Sequence, residues 1–412
     1  MSDRNKKIIF AVFFILFSIG MGYGMYYLFF RMNAAPSVPA TPEQLAGGLP
    51  SAGTGGPTVG ATTTQPGGLP SAGETGAAGE AIGALPSETT KIHLLHDGIT
   101  QSVAPEKDGT GARFYNPEDG RFYKVNADGS ITLLGDKQYF NVDKVDWGNT
   151  KDEVIVEFPD GSNYYYNFEE QKQVVLPQHW EEFQFAPNDS KIESKSIGVD
   201  ADNRYLITAN PDGTEAKAIE PLGEDANNAH LSWSPNGQIV AYSDRGQISS
   251  DNQQQVIFVG QNHENFKSIN TVGRGFLPNW SPTGKQILYS VYGTDSRNKP
   301  TLWVVSGEPN TIGANRRTIE LNTWADKCAW TDDTTVYCAV PQNLPDNAAL
   351  SRTEFQTLPD DVYRINVNTG AATKLLLPDL THAIRNPIVT KDGSQMIFSD
   401  AATGKLYSYD LK

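Results

Sequence analysis

The chain has 412 residues, a net charge of −15 and a pI near 4.9. That balance excludes a nucleic-acid binder working through clustered Lys and Arg. An apolar fraction of 38% allows a sizeable core, and two Cys among 412 residues exclude a disulfide-built scaffold.

The first element is Ile8 to Phe30, 23 residues without a charge. A run of this length spans a bilayer core as one helix. Arg4, Lys6 and Lys7 precede it and Arg31 follows, which predicts a cytoplasmic N-terminus and an extracytoplasmic remainder. The rival reading is a cleaved signal peptide, whose apolar core would be shorter. The expected unit is therefore residues 1–33, a signal anchor.

Residues 34–90 form a linker dominated by Gly, Ala, Pro and Thr, without aromatic residues, Lys or Arg. Such a composition cannot bury enough apolar surface to offset its ordering entropy. As a flexible coil its 57 residues would span about 40 Å, so it reads as a tether.

From Lys91 to Lys412 the chain repeats itself. Trp233-Ser234-Pro235-Asn236-Gly237 leads into the apolar run Ile239 to Ser243, and Trp280-Ser281-Pro282-Thr283-Gly284 leads into Ile287 to Ser290. Looser copies start at Trp330, Val389, Phe185, Trp147 and, faintest, Val103. Steps between these anchors are 44, 38, 48, 47, 50 and 59 residues. Each unit has an apolar anchor ending a strand, a Pro that cannot continue the ladder, a tight turn, and a returning strand. A self-similar period of this size, rich in short strands, marks a β-propeller. The fold expectation is all-β: a seven-bladed propeller of four-stranded antiparallel blades. Six blades would result if the unit at Val103 is not a blade.

The Trp-Ser-Pro-Asn-Gly and Trp-Ser-Pro-Thr-Gly cores resemble the TolB-like propeller family, whose repeat carries Trp-Ser-Pro-Asp-Gly. The resemblance covers roughly Lys91 to Lys412. It implies the propeller fold and, since partners in that family are envelope proteins, a binding scaffold of the cell envelope. A membrane tether departs from that family's soluble members.

Two features of the ring follow from strand counting. After the anchor Val389 only Gln395–Ser399 and Lys405–Asp410 remain, which leaves the last blade one strand short. Lys91–Leu95 is expected to supply that strand and remove an open edge. Cys328 and Cys338 lie equidistant from Asp333 across one hairpin and are expected to form a disulfide outside the cytoplasm.

No Gly-x-Ser-x-Gly elbow, His-Glu-x-x-His or phosphate-binding Gly-rich loop is present, so the reading is a non-enzyme without cofactor or metal. The turns at Asp128-Gly129, Asp160-Gly161 and Asp212-Gly213 lack calcium-loop spacing and read as hairpin turns. Long connections between second and third strands, such as Pro341–Asp360, should share one face with the connections from blade to blade. His179, Trp180, His230, Arg274, Trp324 and His382 fall in those blade-to-blade connections and are the candidate partner-binding residues. Two alternatives are carried forward. One is a metal-dependent hydrolase or lactonase-like propeller using Asp97, Asn141, Glu182, Asn228 and Asp326 around a cation. The other is a carbohydrate-binding propeller stacking sugars on Trp180 and Trp324.

Overall fold

The computed structural model describes residues 91–244, 246, 252–264, 266–377, 379 and 381–411. The expected anchor at Ile8 to Phe30 and the linker 34–90 lie outside them. Among the described residues no helix is long and apolar enough to cross a membrane.

Strands of alternating or continuous apolar residues fold into seven antiparallel sheets of four strands each. Blade 1 is Gln101–Pro105, Ala112–Asn116, Arg121–Val125 and Ile131–Leu133; blade 2 is Lys144–Trp147, Glu153–Glu157, Asn163–Asn167 and Lys172–Leu176. Blade 3 is Trp180–Phe185, Ile192–Ile197, Arg204–Ala209 and Lys217–Pro221; blade 4 is Ala229–Leu231, Ile239–Ser243, Gln253–Gly260 and Ile269–Val272. Blade 5 is Arg274–Trp280, Gln286–Tyr292, Thr301–Ser306 and Arg317–Ile319; blade 6 is Cys328–Trp330, Thr335–Pro341, Asp360–Asn366 and Ala371–Lys374. Blade 7 takes Ile384–Val389, Gln395–Asp400 and Leu406–Asp410 from the end of the chain and Ile92–His96 from its other side. Ile92 pairs with Tyr409 and His96 with Leu406, so the ring closes as the strand count required. The count is seven blades rather than six.

Each blade is apolar on both faces, and the core lies between blades. In blade 2, Val154 and Val156 face blade 1 with Tyr115 and Phe122, while Ile155 between them faces blade 3 with Phe183 and Ile192. Equivalent clusters fill the junctions of blades 3 and 4, 4 and 5, 5 and 6, and 6 and 7. Ile388, Ile397 and Leu406 of blade 7 pack on Val103, Phe114 and Val125 of blade 1. No blade can bury both faces alone, which is why the second strands read as unbroken hydrophobic runs.

The repeat motif builds the first turn of a blade. Ser234 and Ser281 are buried; Ser234 Oγ accepts from Ile239 N at 2.9 Å and Ser281 Oγ from Gln286 N at 3.1 Å. Gly237 and Gly284 both take φ of +75°, where a side chain is strained. Anchor indoles then latch neighbouring blades. Trp147 Nε1 donates to Ser102 O at 2.7 Å, Trp280 Nε1 to Ser232 Oγ at 2.9 Å, and Trp330 Nε1 to Asn279 Oδ1 at 3.0 Å. Blade 3 returns a similar link on the turn side. Its buried Asp189 accepts from Asn149 N, Thr150 N and Lys151 N of blade 2 at 2.5–3.0 Å.

The Asp-Gly turns are hairpin turns. Oδ1 of Asp128 accepts from Ser130 N at 2.9 Å, Asp160 Oδ1 from Ser162 N at 2.9 Å, and Asp212 Oδ1 from Thr214 N at 3.2 Å. Hydroxyl and main-chain donors hold all three carboxyls below their ordinary range.

Cys328 and Cys338 are directly opposed in register, with Cα atoms 4.0 Å apart, and are joined as a disulfide. The loop is only 10 residues long, so reduction is expected to cost about 2–3 kcal/mol. Chemical denaturation with and without a reductant reads this directly; coincident curves would contradict it.

Glu193 lies fully buried between blades 3 and 4, and neither carboxyl oxygen has a close hydrogen-bond partner among the described residues. Burial drives its pKa well above the ordinary value, offset only in part by the Ser232 backbone. The folded state therefore holds a proton that the unfolded chain releases above about pH 4.5. This contribution to stability is present below the unfolded pKa and is lost as pH rises toward the folded one. Glu193→Gln is expected to raise the thermal midpoint by a few degrees at about pH 8 and to leave it unchanged near pH 4. Equal midpoints at both pH values would contradict the assignment.

Candidate functional site

Antiparallel order places two sets of connections on one face of the ring: those between second and third strands, and those from blade to blade. The former are long only in blades 4, 5 and 6, where 244–252, 293–300 and 342–359 separate the strands. The other face carries the motif turns. Lys91, at the turn-side end of the closing strand, marks where the preceding chain enters.

The long connection of blade 6 folds back as 3₁₀ turns at Ala348–Phe355. Its Leu344 and Ala348 bury Trp324, with Leu277, Phe355 and Leu358 packed around them. Arg352 lies over the Trp324 ring at 4.9 Å from its centroid and grips both oxygens of Asp326 at 2.8 and 2.6 Å. Beside it, Lys327 Nζ meets Asp360 Oδ2 at 2.8 Å, and Ile384 N donates to the same oxygen at 2.7 Å. Burial raises the Asp360 carboxyl to about 6 against the pull of Lys327.

Between this loop and the start of blade 7 opens a cavity of about 260 Å³. Trp324, Lys327, Arg352, Phe355, Arg385 and Asn386 line most of it. Arg385 and Asn386 are exposed and stand at a bulge, where the pairing of Ile384–Val389 with Gln395–Asp400 skips between Arg385 and Ile388. Asn386 takes φ of +49° there. A bulge with a left-handed residue re-aims side chains out of the ladder.

The six candidate residues are not gathered in one place. Trp324 lines this cavity, but it is buried and Arg352 lies over its ring, so it is not an open stacking platform. Trp180 is a core residue between blades 2 and 3, packed with Ile155, Leu176 and Phe183. That corrects its assignment as a surface anchor or sugar platform: Trp180 is already the first residue of the innermost strand of blade 3, and its side chain enters the blade junction. His179 beside it is exposed. His230 stacks on Tyr242 at 4.9 Å and faces Asp244 at 3.7 Å, with burial lowering its pKa. Arg274 is exposed at the start of blade 5. His382 is turned inward, its Nδ1 2.7 Å from Asp400 and its ring 4.3 Å from Tyr407.

The residues proposed for a cation lie on different blades, and the three carboxylates among them are already engaged. Asp97 pairs with Lys405 at 2.5 Å, Glu182 with Lys195 at 2.7 Å, and Asp326 with Arg352. Asn141 is exposed, and Asn228 uses its carbonyl to accept Asp244 N. Among the described residues no three His, Cys, Asp or Glu converge to hold a metal ion. These residues therefore do not fit the cation site expected of a lactonase-like propeller.

Sequence reasoning singled out Pro341–Asp360 for its length but missed its Arg352 and Phe355, and it missed the Lys327–Asp360 pair. Arg352 and Asp326 are 26 residues apart, and no periodicity connects them.

No protein-family model matches the chain, and no curated protein matches it. Solved structures do. The beta-propeller domain of Myceliophteria thermophila Cps50 (Swd1) superposes with a TM-score of 0.53 at 10% identity, covering 78% of this chain and all of that one. An oligogalacturonate lyase in complex with manganese gives 0.52 at 13% identity, covering 79% and 94%. The tricorn protease gives 0.51 at 12%, covering 80% of this chain but 35% of its own. At such identities these likenesses define the class, an all-β seven-bladed propeller.

Proposed function

We propose that this chain is a TolB-like, membrane-tethered propeller that acts as a protein- or peptide-binding scaffold of the cell envelope. The observation that carries it is the asymmetry of the ring. One face carries the motif turns and the connections from third to fourth strands and receives the preceding chain at Lys91; the other carries the longest connection of the ring, 342–359, and the cavity between blades 6 and 7. A tether entering on the turn side leaves the loop-rich face free for a partner. Ile8 to Phe30 supplies the membrane helix and residues 34–90 the tether, with the propeller outside the cytoplasm. The role proposed for this face is binding, supported by the long connection 342–359 and the cavity beside it.

The test uses the full chain in intact cells. Protease added outside should cut within 34–90 and release a folded propeller, and cross-linking before lysis should join the loop-rich face to an envelope protein. Protection of the linker until the membrane is opened would overturn the placement. Cross-links confined to the turn face would overturn the binding assignment.

A further inference from the structure

We infer that the cavity between blades 6 and 7 is a carboxylate-binding site that takes an acidic peptide, with Arg385 as the residue that meets the carboxylate. This rests on the reading of the loop-rich face as a binding surface and names the chemistry of its ligand.

The charges around the cavity are matched except one. Arg352 is held by both oxygens of Asp326, and Lys327 by the buried Asp360. Asp400, next to the lining residue Ala401, is turned to His382 at 2.7 Å and to the main-chain N–H groups of Ala402 and Thr403 at 2.8 and 3.0 Å. Arg385 has no carboxylate partner among the described residues; its Nη2 donates a long hydrogen bond, 3.5 Å, to Thr100 O. It is exposed at the bulge beside Asn386, which adds an amide donor to the same wall. A guanidinium fork next to an amide suits the two oxygens of a carboxylate.

Phe355, Trp324 and Ile384 add apolar surface to the wall, beside Gln356 and the paired charges of Asp326, Lys327 and Arg352. The ligand should therefore carry a large apolar side chain next to its carboxylate. At about 260 Å³ the cavity is smaller than most small-molecule pockets, which run from ~300 to 1,000 Å³, and it suits one anchoring residue of a longer chain. The chain as a whole carries −15, so long-range forces repel an acidic peptide and binding must come from this local cation.

A peptide C-terminus and an internal Asp or Glu both supply such a carboxylate, and the experiment separates the two sources. Full-length protein in detergent is titrated with fluorescent hexapeptides of three kinds: ending in Phe with a free carboxylate, the same peptide amidated, and an amidated peptide with internal Glu-Phe. Binding by either carboxylate-bearing peptide is expected, weakened about tenfold or more in Arg385→Gln and partly retained in Arg385→Lys. Loss on amidation assigns the terminus; retention by the Glu-Phe peptide assigns the side chain. Absence of binding by both acidic peptides, or equal affinity in wild type and Arg385→Gln, overturns the inference. The scaffold reading survives that failure if cross-links to an envelope protein still map to the loop-rich face, and falls with it if they do not.

Discussion

Replacing residues 91–96 with a Gly/Ser segment of equal length is expected to lower the thermal midpoint by roughly 6–15 °C. Ile92–His96 is the outermost strand of blade 7 and the closure of the ring. Ile92 packs into the cluster between blades 6 and 7, and Leu95 into the one between blades 7 and 1. Losing these side chains and the ladder to Leu406–Asp410 costs about 3–5 kcal/mol. The replacement also leaves Leu406–Asp410 as an unpaired edge, which invites association between chains. Scanning calorimetry of the full chain reads the midpoint, and light scattering reads the association. An unchanged melting curve would mean that the ring does not depend on this strand.

Trp180→Ala is expected to cost about 3–5 kcal/mol of stability, as truncation of a buried aromatic residue does. The indole is 5% exposed and sits among Ile155, Tyr165, Leu176, Phe183 and Phe185, so the substitution opens a cavity between two blades. Arg385→Gln, on an exposed bulge, should stay within about 0.5 kcal/mol of wild type. Urea unfolding distinguishes the pair. A stable Trp180→Ala protein with impaired partner binding would restore Trp180 to the binding surface.

The fold was legible because its determinants are local. Trp147, Phe185, Trp280, Trp330 and Val389 each end an innermost strand, as their place before a turn motif required. Trp233 lies two residues beyond its strand, which ends at Leu231, and Val103 two residues inside its own, which ends at Pro105. Strand closure and the opposed cysteines were legible for a similar reason, since antiparallel register is set by counting from a turn.

The site was legible only in outline. A polar connection of His179-Trp180 type looks the same in sequence whether its aromatic residue faces solvent or drops into a blade junction, and no period applies to so short a segment. The cavity depends on pairings such as Arg352 with Asp326 and Lys327 with Asp360, which the fold of one loop creates. Loop length pointed to 341–360 as a segment with a role. The residues that matter inside it could have been suspected from Arg352 and Phe355, a cation and an aromatic residue three positions apart in a loop otherwise dominated by small and polar residues.

The central claim is that partners meet the loop-rich face. The most direct measurement is quantitative capture of cross-linked envelope proteins by the full chain, compared between two variants of equal thermal stability. One carries Arg385→Gln with Arg274→Ala on the loop-rich face; the other carries Lys285→Gln with Lys391→Gln on the turn face, both exposed lysines of motif turns. Capture should fall about tenfold or more in the first and stay at the wild-type level in the second. Capture that survives the first pair and is lost with the second would contradict the account.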